Sequence, residues 1–143
     1  EFFVATFEEG RTLRDALPGA RVWSLGGLPA GAAARFRACG LLPVLNTADE
    51  LREWVREAPM APAAVHLDTG MTRLGLGAAE IDALRADGVL DRLTLDLVIS
   101  HFSCADERGH PSIEAQLARF EDLRARLPPF AQTLFTQGCP DVA

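Results

Sequence analysis

Residues 93–100 run almost continuously apolar, the pattern of a strand buried on both faces. Such a strand needs cover on two sides, and parallel sheets obtain it from the helices of their crossover connections. The rest of the sequence supplies that alternation. Residues 22–25, 41–45 and 63–67 are further short apolar runs, and Phe2-Phe3-Val4-Ala5 reads as the end of another. Helical patterns separate them. Thr6-Phe7-Glu8-Glu9 has capping-box spacing ahead of a face of Leu13, Ala16 and Leu17, which Pro18-Gly19 stops. A small-residue helix after Pro29 carries Ala33, Ala34 and Phe36. A second capping box, Thr47-Ala48-Asp49-Glu50, opens a helix with Leu51, Trp54 and Val55 inward, and Ile81 and Leu84 mark the next. The last helix steps through Ile113, Leu117, Phe120, Leu123 and Leu127 before Pro128-Pro129, and a fifth strand is expected near residues 130–135. Right-handed βαβ units and a parallel sheet follow. A complete eightfold barrel takes roughly 250 residues. A chain of 143 residues is then a small open sheet or an arc of a larger barrel, and its start within a strand favours the arc.

Composition narrows the chemistry. The net charge of −6 argues against nucleic acid, whose phosphates need a basic surface. No apolar run approaches the roughly 20 residues that span a bilayer. The opening Glu1-Phe2-Phe3-Val4-Ala5 lacks the charged region of a signal peptide, so no membrane role and a cytoplasmic location are expected. Cys39, Cys104 and Cys139 are odd in number and far apart, which suits a reduced compartment. All 14 basic residues are arginine, and tyrosine is absent. Schiff-base chemistry needs a lysine amine and phenol acid–base chemistry needs a tyrosine, so this stretch of chain runs neither by itself.

Asp68-Thr69-Gly70-Met71-Thr72-Arg73-Leu74-Gly75 is the most unusual stretch. Asp-Thr-Gly supplies one carboxylate of aspartic proteases, where two such groups share a proton. That architecture is all-β, and Met71 stands where Ala or Ser normally follows, so a homodimeric protease is a remote alternative. A plainer reading is a strand-to-helix turn shaped by Asp68, Gly70 and Gly75. It leaves Arg73 unexplained, since a guanidinium past the carboxyl end of a parallel strand is a fork for an anionic group. Both readings stay open on the residues alone. His101, Cys104, Asp106 and His110 fall within ten residues, but no second Cys or His pair completes four ligands, so no metal centre is expected. His101 then reads as hydrogen-bonded at the end of its strand. Arg119, Arg124 and Arg126, interleaved with Glu114, Glu121 and Asp122, read as a solvated face. Gly26-Gly27 is too short for a phosphate loop.

The stretch Val65-His66-Leu67-Asp68-Thr69-Gly70-Met71-Thr72-Arg73-Leu74-Gly75 resembles the central motif of alanine racemases, pyridoxal-phosphate enzymes that interconvert L- and D-alanine. Phe2-Phe3-Val4-Ala5 with Glu9-Gly10-Arg11-Thr12-Leu13-Arg14 resembles that family's early barrel segment, and Leu42-Pro43-Val44-Leu45-Asn46 one of its strands. Ser100-His101-Phe102-Ser103-Cys104-Ala105-Asp106-Glu107, followed by Gln116 and Phe120, is similar to a later run. The resemblance reaches about Pro129. It implies an α/β fold: a partial parallel (β/α)8 TIM-type barrel, an arc of about four to five β/α units, over residues 1–143. It also implies pyridoxal 5'-phosphate as cofactor and alanine as substrate, in a homodimer that supplies D-alanine for peptidoglycan. In the family's pattern Arg73 bonds the cofactor's phenolic oxygen and lies near the substrate carboxylate, tasks that suit a planar fork. His101 supports the cofactor ring, and Leu25 lines its pocket. Asp68 and His66 support the motif. His66 stands where many relatives carry a carbamylated lysine; that modification is impossible here, although a cation at this position could still orient the surroundings of Arg73.

Departures from the family pattern carry equal weight. Its cofactor lysine at the end of the first strand, and its β-domain tyrosine from the other subunit, have no counterpart, so no catalytic residue is expected in this segment. The Asn-Ser-Ala stretch whose serine holds the phosphate is replaced by Thr133-Leu134-Phe135-Thr136-Gln137-Gly138. The chain thus reads as the middle of an N-terminal barrel domain, without its first strand and without the C-terminal β-domain, and inactive alone. The alternatives are a non-catalytic truncated relic and a single-domain cofactor-binding barrel protein.

Overall fold

The computed structural model describes residues 1–107 and 109–136. In chain order these form β1 (Phe2–Val4), α1 (Phe7–Ala16), β2 (Val22–Ser24), α2 (Ala33–Cys39), β3 (Leu42–Leu45) and α3 (Ala48–Glu57). There follow β4 (Pro62–His66), α4 (Ala78–Ala86), a 3-10 turn at Leu90–Arg92, β5 (Thr94–His101), α5 (Pro111–Arg124) and β6 (Gln132–Thr136). The six strands pair in parallel in the order β1-β2-β3-β4-β5-β6. The result is the expected barrel arc, five β/α units plus a sixth strand, with all strand carboxyl ends on one rim.

The helices start where the sequence caps them. Thr6 Oγ1 accepts from Glu9 N at 3.3 Å, and the Glu9 carboxylate accepts in return from Thr6 N at 3.2 Å. At α3 half of that box forms. Thr47 Oγ1 accepts from Glu50 N at 3.3 Å, but the Glu50 carboxylate reaches past the cap to Asn46 N at 2.7 Å. Burial raises the pKa of the Glu50 carboxyl, opposed by these backbone hydrogen bonds. Gly27 covers it at φ +80°, where a Cβ would lie 2.7 Å from Glu50 Oε1 and 2.9 Å from Asn46 Nδ2.

Two helix faces, those of α1 and α5, depart from the sequence expectation. On α1 the inward residues are Phe7, Gly10 and Leu13, while Ala16 and Leu17 are exposed. A Cβ on Gly10 would sit 3.0 Å from Leu41, so the helix rests directly on the sheet side. On α2, Ala33 and Phe36 are buried and Ala34 is exposed. On α5, Leu117 is 39% exposed, and Gln116 is buried in its stead beside Phe120 and Leu123. Residues 116, 120 and 123 satisfy helical spacing as well as the expected stripe does, and a polar member hides that alternative.

Strand side chains alternate between two cores. Val22, Leu45, Ala63, Val65 and Val98 face the helix layer with Leu51, Trp54, Ile81, Leu84 and Phe120. Trp23, Val44, Ala64, Leu97 and Ile99 form a second cluster on the concave face, joined by the partly buried Leu25, Leu42 and Leu134. At the amino end of the arc, Arg21 makes an ion pair with Asp96 across from β2 to β5, and its Cζ lies 5.0 Å from the Trp23 ring centroid. The β4–β5 register passes from Ala63↔Leu95 to Ala64↔Leu97, so a bulge leaves Asp96 without a partner on β4.

A chain of buried hydrogen bonds ties α5 to the carboxyl rim. Gln116 Nε2 donates to Thr69 Oγ1 at 3.1 Å and to the His101 carbonyl at 3.0 Å. Its Oε1 accepts from Ser103 N and Ser103 Oγ, both at 3.0 Å. Thr69 and Ser100 hydroxyls are 2.8 Å apart, and Ser100 donates on to the Leu67 carbonyl at 3.0 Å. One glutamine thus fixes the loops after β4 and β5 together.

Two outcomes follow for urea unfolding. Gln116→Leu takes a hydrogen-bond donor from the buried Thr69 hydroxyl and from the His101 carbonyl, and lowers the unfolding free energy by about 2 kcal/mol, whereas Leu117→Ala on the exposed side changes it by less than about 0.5 kcal/mol. A double-mutant cycle of Arg21→Ala and Asp96→Ala gives a coupling on the order of 1 kcal/mol that shrinks with added salt. Equal effects at Gln116 and Leu117, or a zero coupling, would contradict these assignments.

Candidate functional site

Parallel strands deliver their last residues to one rim, and here three of the four are polar. β4 ends at His66 and β5 at His101, while Asn46 follows β3 and Leu25 follows β2. By strand alternation all four share the concave face with Val44, Ala64 and Ile99. Hydrogen bonds confirm the placement. Asn46 Nδ2 donates to the carbonyls of Leu25 and Val44, each at 3.2 Å, and Asn46 Oδ1 lies 2.9 Å from His66 Nδ1. On the next strands His101 Nδ1 lies 2.6 Å from Thr136 Oγ1.

The loop from Asp68 to Gly75 leaves this rim and returns to it. Leu76 N donates to the His66 carbonyl at 2.8 Å and Asp68 N to the Leu76 carbonyl at 3.1 Å, which pinches the loop at its base. The Asp68 carboxylate accepts from Gly70 N and Thr72 N, both at 2.9 Å, and so sets the curve. Gly75 closes it at φ +107°, where a Cβ would lie 2.7 Å from Asp68 N. Thr69 points inward to Ser100 and Gln116, and Arg119 Nη1 donates to the Thr69 carbonyl at 2.8 Å. Arg73 is left on the outside of the loop, exposed, and its guanidinium makes no hydrogen bond or ion pair among the described residues. Asp68 is thus held in a turn after a parallel strand, a setting that lends no support to an aspartic protease.

These groups act on one another electrostatically. The pKa of His66 is pushed down to about 4, first by burial and then by repulsion from His101 and Arg73, with Asp68 pulling the other way. His101 is lowered too, by burial and by Arg73. Both imidazoles are therefore neutral near pH 7. The expectation that His66 could orient Arg73 as a cation is corrected: burial in the sheet end removes that charge. Arg73 supplies the positive charge of this cluster, and the two histidines supply uncharged nitrogen.

Several participants were not singled out from sequence. Asn46 and Gln116 stood inside recognised runs, but nothing in their spacing signals that their amides bridge strands. Arg119 was read as part of a solvated face, yet it spans to the Thr69 carbonyl. His110 caps α5, with Nδ1 accepting from Ser112 N at 3.2 Å. Among the described residues no three His, Cys, Asp or Glu side chains converge as a metal site. No helix among them is long and apolar enough to cross a membrane. Gln137, Gly138 and Cys139 lie outside the described residues. A cavity of about 240 Å³ opens at the carboxyl ends of β1 and β2, between α1 and α2, lined by Phe7, Ser24, Gly27, Arg35 and Phe36 among others.

Comparison with known proteins agrees with this geometry. Residues 1–136 match the family model described as alanine racemase, N-terminal domain. A catabolic alanine racemase of Mesorhizobium japonicum is 43% identical over 133 residues, covering 89% of this chain and 35% of that protein. The alanine racemase of Rhodospirillum rubrum is 43% identical over 140 residues, covering 94% of this chain and 37% of its own length. The crystal structure of alanine racemase from Bartonella henselae with covalently bound pyridoxal phosphate superposes with a TM-score of 0.85 at 29% identity, over 94% of this chain and 41% of that one. The chain spans about a third of the length of these curated relatives. With the parallel arc, the pinched Asp68–Gly75 loop and a family match over nearly every described residue, the chain belongs to the alanine racemase N-terminal domain family.

Proposed function

We propose that this chain forms the cofactor-holding wall of an alanine racemase, the enzyme that interconverts L- and D-alanine with pyridoxal 5'-phosphate. The observation that carries the reading is the convergence of an uncommitted guanidinium, Arg73, with two neutral imidazoles, His66 and His101, on one rim of the barrel arc. The residues present fit the ring end of such a cofactor. Leu25 offers an apolar edge continuous with the concave cluster. Arg73 offers a planar fork to an anionic phenolic oxygen and to the substrate carboxylate. His101, braced by Thr136, supports the ring's neighbourhood. Asp68 and His66 hold the loop base and the strand end from which Arg73 projects. Bound pyridoxal phosphate supplies the electron sink that makes the α-proton of alanine removable. The chain's own part is to seat the ring and to place one positive charge beside it.

The substrate, alanine, follows from the relatives' names. The same reading places the active enzyme as a homodimer in the cytoplasm, making D-alanine for peptidoglycan. A second reading, a non-catalytic relic with the same barrel arc, draws on composition, since no lysine and no tyrosine occur in the 143 residues.

Purified, this 143-residue polypeptide with added pyridoxal phosphate forms no D-alanine above background in a coupled D-amino-acid oxidase assay. Each missing acid–base group is worth roughly 10²–10⁴ in rate. Measurable racemisation would overturn the assignment of catalysis to residues this chain lacks. In a full-length subunit rebuilt around it, Arg73→Lys lowers kcat roughly 10- to 100-fold without changing the unfolding midpoint, since a charged hydrogen bond is worth about 1.5–3 kcal/mol. Arg73→Ala also weakens cofactor binding. Wild-type turnover in both variants would remove Arg73 from the site.

A further inference from the structure

The side-chain amide of Asn46 has no freedom left. Its Nδ2 group donates to the Leu25 and Val44 carbonyls, each at 3.2 Å, and its backbone N–H donates to Glu50 at 2.7 Å. Flipping the amide would set its oxygen against those two carbonyls. Oδ1 is therefore the atom that meets His66 Nδ1 at 2.9 Å. An amide oxygen accepts and never donates, so His66 carries its proton on Nδ1 and keeps a lone pair on Nε2. On the neighbouring strand His101 Nδ1 meets a hydroxyl instead, Thr136 Oγ1 at 2.6 Å, which can donate or accept, so the amide of Asn46 makes His66 the histidine whose tautomer is fixed.

We propose that Asn46 is a positioning residue of the rim: it holds His66 as the neutral Nδ1–H tautomer, so that Nε2 serves as an acceptor beside Arg73 and Arg73 remains the fixed cation. The functional meaning rests on the reading of Arg73 given above, although the tautomer lock itself does not. The charged and titratable groups that act on His66 are His101, Arg73 and Asp68. Two of them oppose its protonation and one favours it, while burial outweighs all three. A ligand seated on this rim meets one guanidinium and uncharged acceptors. The chemistry that suits it is an anionic oxygen close to a hydrogen-bond donor, such as a hydroxyl or a protonated nitrogen.

Long-range 1H–15N correlation spectra of the 15N-histidine-labelled chain test this directly. Wild-type His66 shows the Nδ1–H tautomer and takes up its second proton only near pH 4. Asn46→Ala turns the signal toward the mixture of tautomers of a free imidazole, because the acceptor that selects Nδ1–H is gone. Asn46→Asp keeps an acceptor, so the Nδ1–H tautomer stays while the carboxylate raises the protonation pH above wild type. Arg73→Gln raises it as well, with the tautomer unchanged. Because the folded pKa lies below the unfolded one, stability is complete above about pH 6.5 and falls as pH drops toward 4. His66→Gln removes its share of that slope. An Nε2–H tautomer in the wild type, or an Asn46→Ala spectrum identical to it, overturns the proposal, and an unfolded Asn46→Ala leaves the wild-type and Arg73→Gln spectra to decide. If the lock holds while Arg73→Lys keeps full turnover, the functional reading falls and the lock stands.

Discussion

Ala63, Ala64, Val65 and Val98 are wholly shielded from solvent, on the neighbouring interior strands β4 and β5. A pair with no wet face requires an apolar layer on each side. One layer comes from the helices, through Leu51, Trp54, Ile81, Leu84 and Phe120. The other comes from the sheet itself, which curls until Trp23, Val44, Leu97 and Ile99 bury one another. The bulge at Asp96 accompanies an ion pair with Arg21 that joins the starts of β2 and β5.

The same parallel arrangement decides where chemistry can be. With every strand running one way, the rim at the carboxyl ends collects residues from distant parts of the sequence. Leu25, Asn46 and His66 become linked by hydrogen bonds although they lie on three successive strands or their ends. The loop that carries Arg73 owes its shape to Asp68 and Gly75 and its anchorage to Gln116 and Arg119. An exposed side chain is thereby projected from a loop held at several points, which lowers the entropy to be lost when a ligand is bound.

Apolar periodicity made most of this fold legible before the structure was known. The strands, the inward residues of α3 and α4, and the rim position of Arg73 and His101 all follow from it. The misreadings share one cause. Gln116 lies in the core because its partners Thr69, Ser103 and His101 come from loops that the chain folds together, and apolar spacing counts a glutamine as surface. Arg119 does stand on the exposed face, and what spacing leaves out is its reach to the Thr69 carbonyl. The Glu50 carboxylate left its expected cap because Asn46 N offered a buried donor. For His66 the residue type was visible but its burial was not, so its charge was misjudged. What spacing conveys is which face is greasy; which polar groups satisfy each other across the fold depends on contacts that it does not encode.

The two tryptophans divide along the same boundary as the two cores. Trp54, in the helix layer, donates its indole N–H to the Ala61 carbonyl at 3.1 Å. Trp23, on the concave face, is buried with its indole N–H unpaired among the described residues. The pair therefore forms an internal optical gauge with one indole in each compartment. Emission that changes in Trp23 alone, read in a Trp54→Phe background, reports water or solute entering the hollow of the arc. A change in both reports loss of the helix layer, so the hydration of the interior and the melting of the shell can be followed as separate events in one molecule.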